Sequence, residues 1–298
     1  MKCDSNKKIT VDNAVIMAAG TSSRFAPLSF ERPKSLYEVR GEVLIERQIR
    51  QLMEAGIQDV IIVVGYLKEQ FAYLRKRFGV KIVENPDYLF RNNNSTIHAV
   101  KNHLNNTYIC SSDNYFSVNP FEREVSGAYY AACYARGKTS EWCISEGEDG
   151  FIDTVTVGGR NSWYMMGHVF WDETFSRKFV EILDAEYDNP LTAPKLWESI
   201  YSEHLDELKL KIRKYPRGVI EEFDSLDELR LFDESYVENT RSEIVKNIAA
   251  YLKCSQGDIC NISPAKENGS NEASGFTFSA RLHRYFYSYS TGQVSEAD

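Results

Sequence analysis

The sequence lacks the features that define several broad classes of protein. Its 298 residues contain no apolar run near the ~18 residues of a membrane span. The opening stretch MKCDSNKKITVDN has no apolar core of a secretory signal. Lysine and arginine total 35 against 43 acidic residues, a net charge of −8, which argues against a nucleic-acid surface. We therefore expect no membrane insertion and no nucleic-acid partner.

The sequence also lacks the common cysteine motif of zinc sites and the common glycine-rich motifs of phosphate-binding loops. The six cysteines form no Cys-x-x-Cys pair, which argues against a zinc site and for reduced thiols in a cytoplasmic protein. Neither common phosphate-binding loop is present, because the chain has no Gly-x-Gly-x-x-Gly and no Gly-Lys-Ser/Thr closing a glycine loop. Any phosphate-binding site must therefore use another pattern.

The stretch from Ala14 to Leu36, AVIMAAGTSSRFAPLSFERPKSL, offers such a pattern. Its short apolar run predicts a buried strand of a parallel sheet. A turn of small residues follows, and its backbone N–H groups can cradle phosphate oxygens. Arg24 and Lys34 add two cations, which a triphosphate and a second phosphate require. The predicted nucleotide-binding residues of this turn are Ala18, Ala19, Gly20 and Thr21.

The complete string, an apolar strand, Ala-Gly-Thr-x-x-Arg and then Pro-Lys-x-Leu, resembles the signature of nucleotidyltransferases that activate small phosphorylated compounds. These include sugar-phosphate nucleotidyltransferases and, most similar in size and downstream motifs, the bacterial CTP:phosphocholine cytidylyltransferases. The resemblance covers roughly residues 12–236. It implies that Arg24 takes the leaving pyrophosphate and that Lys34 bridges the two reacting phosphates.

The hydrophobic pattern after the signature alternates between helices and strands. Residues 44–55 and 68–78 read as helices, and 60–64 and 80–83 as buried strands. This rhythm predicts right-handed crossovers and a doubly wound sheet. Together with the resemblance, it predicts an α/β, Rossmann-like nucleotidyltransferase fold with a mixed, mostly parallel central sheet flanked by helices.

Two aspartates are the predicted Mg²⁺ ligands. Asp113 follows a short β-prone run, so it is expected at the carboxyl end of a strand, where α/β folds bind their ligands. A carboxylate is a hard oxygen ligand suited to Mg²⁺ bridging phosphates, although a strand-ending aspartate is also a frequent turn former. The resemblance implies that Asp113 and the later Asp224 complete one magnesium site.

Asn94 and Ser95 precede a segment with helical spacing. A run of asparagine and serine before a helix is typical of a cap. Amides and hydroxyls also match the donors and acceptors of a pyrimidine, and the resemblance implies that this loop reads the base. Both interpretations remain open from the sequence.

All four tryptophans fall between residues 142 and 197, where they indicate either a core or a pocket for a quaternary ammonium group. Trp197 and Tyr201, four residues apart on a predicted helix, share a face, and Glu198 adds a carboxylate. The segments around residues 140–142 and 163–167 resemble acceptor-side elements of the phosphocholine enzymes. The predicted acceptor-binding residues are Trp142, Tyr164, Trp197, Glu198 and Tyr201.

The last 60 residues change in character. An amphipathic helix over 242–253 precedes a polar loop over 267–272 and a hairpin-like tail rich in phenylalanine and tyrosine. This segment resembles the opening of a choline-kinase-type phosphotransferase that stops before the catalytic residues, so we expect no kinase activity. We predict a nucleotidyltransferase domain over 1–236 and a partial kinase-like segment over 237–298. The tail is expected to pack on the main domain, to form a dimer contact or to be poorly ordered.

The predicted reaction condenses CTP with phosphocholine to give CDP-choline and pyrophosphate, with Mg²⁺ and in-line attack at the α-phosphorus. Phosphoethanolamine, 2-aminoethylphosphonate or a sugar phosphate remains an alternative acceptor, and uracil or thymine an alternative base. A binding or regulatory protein that has lost the chemistry is the alternative from another class. The combined presence of Arg24, Lys34, Asp113 and Asp224 argues against it.

Overall fold

The protein is seen here in a computed structural model that describes residues 8–266 and 273–297. The strands are β1 Ile9–Thr10, β2 Asn13–Ala18, β3 Glu38–Val39, β4 Glu42–Val43, β5 Val60–Val64, β6 Lys81–Glu84, β7 Thr107–Ser111, β8 Tyr115–Phe116, β9 Glu124–Val125, β10 Tyr129–Tyr134, β11 Lys138–Glu146, β12 Ile152–Arg160, β13 Trp163–Trp171, β14 Lys211–Lys214, β15 Ile220–Glu221, β16 Cys260–Lys266, β17 Ala273–Ala280, β18 His283–Ser288 and β19 Val294–Glu296.

The α-helices are short apart from three that run for ten residues or more. They are α1 Leu28–Glu31, α2 Leu44–Glu54, α3 Tyr73–Phe78, α4 Asn94–Ala99, α5 Glu173–Glu186, α6 Trp197–Glu203, α7 Leu226–Phe232, α8 Ser235–Glu238 and α9 Glu243–Leu252. Single turns of 3₁₀ helix cover Ser23–Phe25, Lys34–Leu36, Lys68–Phe71, Lys101–His103 and Gln256–Asp258.

The chain forms two compact units. The first contains Met1–Gly20 and Ile45–Glu221, and the second contains Thr21–Leu44 and Glu222–Asp298. The signature stretch is therefore divided, with its strand in the first unit and its two cations in the second. The predicted domain boundary at residue 236 stays a prediction, since the second unit contains residues from both sides of it.

The first unit is built on a mixed sheet with the order β12-β11-β13-β7-β2-β5-β6, in which β10 pairs with β13 and β14. The strands β7, β2, β5 and β6 are parallel, whereas β13 joins β7 in antiparallel register. The apolar run of β2 lies at the centre because parallel strands are covered on both faces and need apolar side chains on each. This arrangement confirms the predicted α/β fold with a mixed central sheet flanked by helices. Four strand pairs of the sheet are parallel and four are antiparallel, so it is less parallel than predicted.

Helix α2 shows how the sequence directs this packing. Ile45, Ile49 and Leu52 recur at helical spacing and are completely buried. Gly56 ends the segment with a φ of +85°, a left-handed conformation that favours glycine. The prediction of a helix ending at this glycine is confirmed.

The second unit has its own apolar cluster and a four-stranded antiparallel sheet in the order β16-β17-β18-β19. Phe276 and Phe278 of β17 are completely buried in this cluster, together with Val245 and Ile248 of α9. The predicted amphipathic helix and hairpin are thus confirmed, and they pack into an ordered core. The predicted polar loop over 267–272 lies outside the described residues.

Two predicted helices are shorter and less regular than expected. The segment 68–78 divides into a 3₁₀ turn and α3, and the helix predicted from residue 97 begins at Asn94 instead. Asn94 and Ser95 therefore lie inside α4, and no side chain caps its N-terminal residue. No helix in the described part of the chain is long and apolar enough to cross a membrane.

Candidate functional site

The turn after β2 lies close to the backbone that follows β5. The Ala19 carbonyl accepts a hydrogen bond from the Tyr66 N–H at 3.1 Å. A Cβ added at Gly65 would lie 2.6 Å from the Tyr88 ring and 2.8 Å from that carbonyl, so only glycine fits there. At Gly20, by contrast, an added Cβ would meet no described atom within 4 Å. Packing among the described residues therefore does not require glycine at this position, and the backbone of the turn is open on that side.

Three predicted site residues come together within the second unit. Arg24 Nη1 lies 2.5 Å from Asp224 Oδ2, and Lys34 Nζ lies 3.8 Å from Asp224 Oδ1. The Lys34 side chain is only 4% exposed, whereas that of Arg24 is 73% exposed. A buried ammonium group requires a nearby negative charge or strong acceptor, which Asp224 supplies here. Residues 200 positions apart in sequence thus form one charged cluster.

Local hydrogen bonds hold Asp224 at the start of α7. The Asp224 N–H donates to Glu228 Oε2 at 2.7 Å, and the Glu228 N–H donates to the Ser225 hydroxyl at 3.2 Å. This is the pattern of a helix N-terminus capped by serine and glutamate, and it leaves the Asp224 side chain turned to the two cations.

Asp113 lies in the loop after β7, as predicted, and its side chain is partly exposed. The loop is held by Gln48 of α2, whose Nε2 donates to the Ser111 carbonyl at 2.8 Å and to the Asn114 carbonyl at 2.9 Å. Gln48 is 1% exposed. The signal for it was a polar residue on the apolar face of a helix, which the sequence analysis missed.

Gly167 of β13 is a second supporting residue that the sequence analysis did not single out. A Cβ at this position would lie 2.2 Å from Ser111 Oγ and 2.4 Å from Ser111 Cβ. Because atoms cannot approach so closely, only glycine allows β13 to pass this tightly beside the end of β7. The loop that carries Asp113 is therefore set by contacts from two neighbouring elements.

The two predicted base-reading residues are buried and hydrogen-bonded within the first unit. Asn94 is 0% exposed, and its Nδ2 donates to the carbonyls of Thr192 at 3.0 Å and Lys195. The Ser95 hydroxyl donates to the Asn92 carbonyl at 2.8 Å and accepts from Asn85 Nδ2 at 2.9 Å. Both side chains thus join loop segments here, and their role in base recognition stays a prediction.

The predicted acceptor residues on α6 differ in their surroundings. Trp197 and Tyr201 are 0% exposed and belong to the apolar core of the first unit. The Trp197 ring lies 5.6 Å from that of Tyr130 with nearly parallel planes, and 5.1 Å from that of Trp171. These contacts assign both side chains to the core in this conformation.

Glu198, between them, is only partly buried and is a polar centre beside this core. Its Oε2 accepts from Asn93 Nδ2 at 3.1 Å, and its Oε1 accepts from the Tyr130 hydroxyl at 3.2 Å. Burial raises the pKa of Glu198 to about 7, against the opposing effect of both donors. Near neutral pH this carboxyl group therefore exchanges between neutral and charged forms.

Trp142 and Tyr164 point to opposite faces of the sheet. Cys143 and Tyr164 are cross-strand partners, so their side chains share one face. Trp142, the neighbour of Cys143 on β11, projects from the other face, where it packs against the apolar core. The structure therefore does not bring these two aromatic rings together in one wall.

The role of Asp113 and Asp224 as magnesium ligands stays a prediction, and their chemistry can be compared with what Mg²⁺ requires. Mg²⁺ is usually held by one or two carboxylates, substrate phosphates and water, not by a closed protein cage. Asp113 and Asp224 fit this requirement, since each carries a partly exposed carboxylate. Asp224 also lies beside Arg24 and Lys34, whose cationic side chains can bind phosphate. Among the described residues, Glu186, Glu203 and His204 also have metal-ligand spacing, but the Lys195 ammonium is 2.5 Å from Glu203 Oε2.

Comparison with known proteins identifies relatives of this chain. Residues 14–130 match the family description of the MobA-like NTP transferase domain. The choline-phosphate cytidylyltransferase of Streptococcus pneumoniae is 34% identical over 221 residues, 74% of this chain and 96% of that protein. The 2-aminoethylphosphonate cytidylyltransferase of Lancefieldella rimae is 34% identical over 246 residues, 81% of this chain and all of that protein.

A solved structure shows the same relationship in three dimensions. The CTP:phosphocholine cytidylyltransferase from Streptococcus pneumoniae superposes with a TM-score of 0.72 and 34% identity, over 76% of this chain and 99% of that one. Identity at this level over nearly the whole of these relatives establishes common descent. The chain belongs to the bacterial cytidylyltransferase family of nucleotidyltransferases that includes these choline-phosphate and 2-aminoethylphosphonate enzymes.

Proposed function

We propose that this enzyme transfers a cytidylyl group from CTP to phosphocholine, giving CDP-choline and pyrophosphate. The observation that carries the proposal is the cluster of Arg24, Lys34 and Asp224. It joins two cationic side chains that can bind phosphate to a candidate metal ligand. The similarity to choline-phosphate cytidylyltransferases supports the choice of substrates.

In the proposed reaction an oxygen of the acceptor phosphate attacks the α-phosphorus of CTP. The new P–O bond forms as the bond to the bridging oxygen of pyrophosphate breaks, and the electron pair leaves with pyrophosphate. Positioning and charge neutralisation account for most of the rate enhancement in such transfers. No covalent enzyme intermediate is required.

The predicted nucleotide-binding, catalytic and metal-binding residues each have one role in this scheme. The backbone N–H groups of Ala18, Ala19, Gly20 and Thr21 bind the triphosphate. Arg24 neutralises the departing pyrophosphate, and Lys34 draws the α-phosphate and the acceptor phosphate together. Asp113 and Asp224 are proposed to hold Mg²⁺, which when bound neutralises phosphate oxygens. Asn94 and Ser95 are proposed to act at the base.

The cluster itself suggests how the second unit responds to substrate. Asp224 forms ion pairs with both Arg24 and Lys34 in this structure. When phosphate oxygens replace the carboxylate as partners of the two cations, Asp224 becomes available to a metal ion. The proposal therefore predicts that CTP and Mg²⁺ strengthen each other's binding.

Pyrophosphate release tests the proposed reaction. CTP, UTP, dTTP and ATP are each combined with phosphocholine, phosphoethanolamine, 2-aminoethylphosphonate and glucose 1-phosphate in the presence of Mg²⁺. Release with CTP and phosphocholine supports the proposal, and the absence of release from every pair contradicts it. Asp113→Ala is expected to abolish turnover in a folded protein, whereas Asp206→Ala, which changes an exposed aspartate, is the matched control.

A second acceptor, 2-aminoethylphosphonate, is favoured by a specific observation. Glu198 offers a carboxyl group that can bind a primary ammonium by hydrogen bonds, whereas the predicted aromatic residues are divided between the core and two sheet faces. A methylated ammonium depends on aromatic faces instead. Release with CTP and 2-aminoethylphosphonate but not with phosphocholine would select this acceptor.

Three further predictions from the sequence are retained as proposals. They are a cytoplasmic location, a homodimer, and descent of residues 237–298 from the opening segment of a choline kinase. Size-exclusion chromatography with light scattering tests the dimer directly.

A further inference from the structure

The C-terminal segment and the part of the signature between Arg24 and Lys34 are packed together in the second unit. Ala26 is 1% exposed and belongs to the same apolar cluster as Val245, Phe276 and Phe278. Ala26 follows Arg24 by two positions. The signature therefore contributes a residue to the core formed by the C-terminal helix and sheet.

Glu31 forms a second connection, through the N-terminus of α9. Its Oε1 accepts hydrogen bonds from the N–H groups of Glu243 at 2.9 Å and Ile244 at 3.2 Å. The Ser242 hydroxyl accepts from the next N–H, that of Val245, at 3.1 Å. A carboxylate at this end of a helix is favourable because it satisfies exposed N–H groups and complements the helix dipole. Glu31 therefore ties the signature to α9.

Phe30 forms a third connection, to the tail that follows β18. Its ring and that of Tyr289 are stacked, with centroids 3.8 Å apart and an interplanar angle of 5°. Tyr289 is itself held by its N–H, which donates to the Ser274 carbonyl of β17 at 3.0 Å. The stacked pair joins α1 to the C-terminal sheet at the surface, where 45% of Phe30 remains exposed.

We propose that the C-terminal helix and sheet position the phosphate-binding cations, with Tyr289 as a positioning residue that acts on Arg24 through Phe30. The three connections, at residues 26, 30 and 31, all lie between Arg24 and Lys34 in sequence. Movement of this short stretch would displace both cations from the triphosphate. The inference rests on the proposed function, because it assigns Arg24 to the pyrophosphate portion of CTP.

Calorimetric titration with CTP and with CMP tests the inference. Only CTP carries the β- and γ-phosphates, so loss of Arg24 positioning weakens CTP more than CMP. For Tyr289→Ala we expect the dissociation constant for CTP to rise about tenfold relative to that for CMP. Tyr289→Phe retains the stacked ring and should therefore bind CTP more tightly than Tyr289→Ala does. Tyr251→Ala, which removes a tyrosine that is 69% exposed on α9, is the matched control.

A double-mutant cycle then separates positioning from general loss of stability. If Tyr289 acts through Arg24, Tyr289→Ala should weaken CTP no further in an Arg24→Ala background. Equal weakening of CTP and CMP, additive effects in the cycle, or an unchanged CTP dissociation constant in folded Tyr289→Ala would each overturn the inference. Turnover of the wild type is measured separately by pyrophosphate release. Absence of release would contradict the proposed function, whereas the CTP and CMP dissociation constants test the positioning role of Tyr289.

Discussion

Replacing Glu198 by glutamine should make the protein more stable at alkaline pH. Burial raises the pKa of Glu198 to about 7 from its ordinary value of 4.5, so the folded protein keeps a proton that the unfolded chain has lost. Between these values the unfolded state binds fewer protons, and the free energy of unfolding falls as pH rises. Glutamine is isosteric and can accept from Asn93 and donate to Tyr130, and it carries no charge.

The expected size follows from the same two pKa values. The free energy of unfolding falls by about 1.4 kcal/mol per pH unit across this window, or about 3 kcal/mol in all. Partial exposure of the side chain reduces the expected effect to about 2 kcal/mol. The stabilisation of Glu198→Gln over wild type should therefore be small near pH 4 and grow to about this value at pH 8.

Urea denaturation at pH 4, 6 and 8 measures this difference directly. Comparing variant and wild type at each pH removes the contributions of all other titrating groups. A difference for Glu198→Gln that does not vary with pH would refute the assignment of a raised pKa, and with it the reasoning that burial outweighs the two hydrogen bonds.

Three further substitutions test contacts that hold the site. Gly167→Ala places a Cβ 2.4 Å from Ser111 Cβ, so we expect thermal unfolding to show a loss of about 2 kcal/mol in stability. Adding Ser111→Gly should restore part of this loss. Unchanged stability of Gly167→Ala alone would contradict the close approach. Gln48→Ala removes two hydrogen bonds to the loop that carries Asp113. We expect the protein to lose about 2 kcal/mol of stability and kcat to fall. An unchanged kcat would show that the loop does not depend on these hydrogen bonds. Arg230→Met removes hydrogen bonds to the backbone carbonyls of Tyr236, Gln256 and Ile259, and it should cost about 3 kcal/mol in urea denaturation. A loss below about 1 kcal/mol would show that these hydrogen bonds contribute little.

The sequence by itself determined the central architecture. The apolar runs of β2 and β5 favoured buried strands of a parallel sheet, and the helical spacing before Gly56 predicted α2. These features depend on local pattern, which a single sequence contains in full. The signature string added a resemblance to the nucleotidyltransferases, and that resemblance predicted the fold family before any contact was known.

Other features were decided only by tertiary structure, because they depend on residues far apart in the chain. The pairing of Asp224 with Arg24 spans 200 positions, and no local pattern records it. The stacking of Phe30 on Tyr289 and the burial of Trp197 are equally non-local. An aromatic residue has the same sequence signature in a core as in a ligand pocket. Only the packing around it, which the whole fold determines, distinguishes the two.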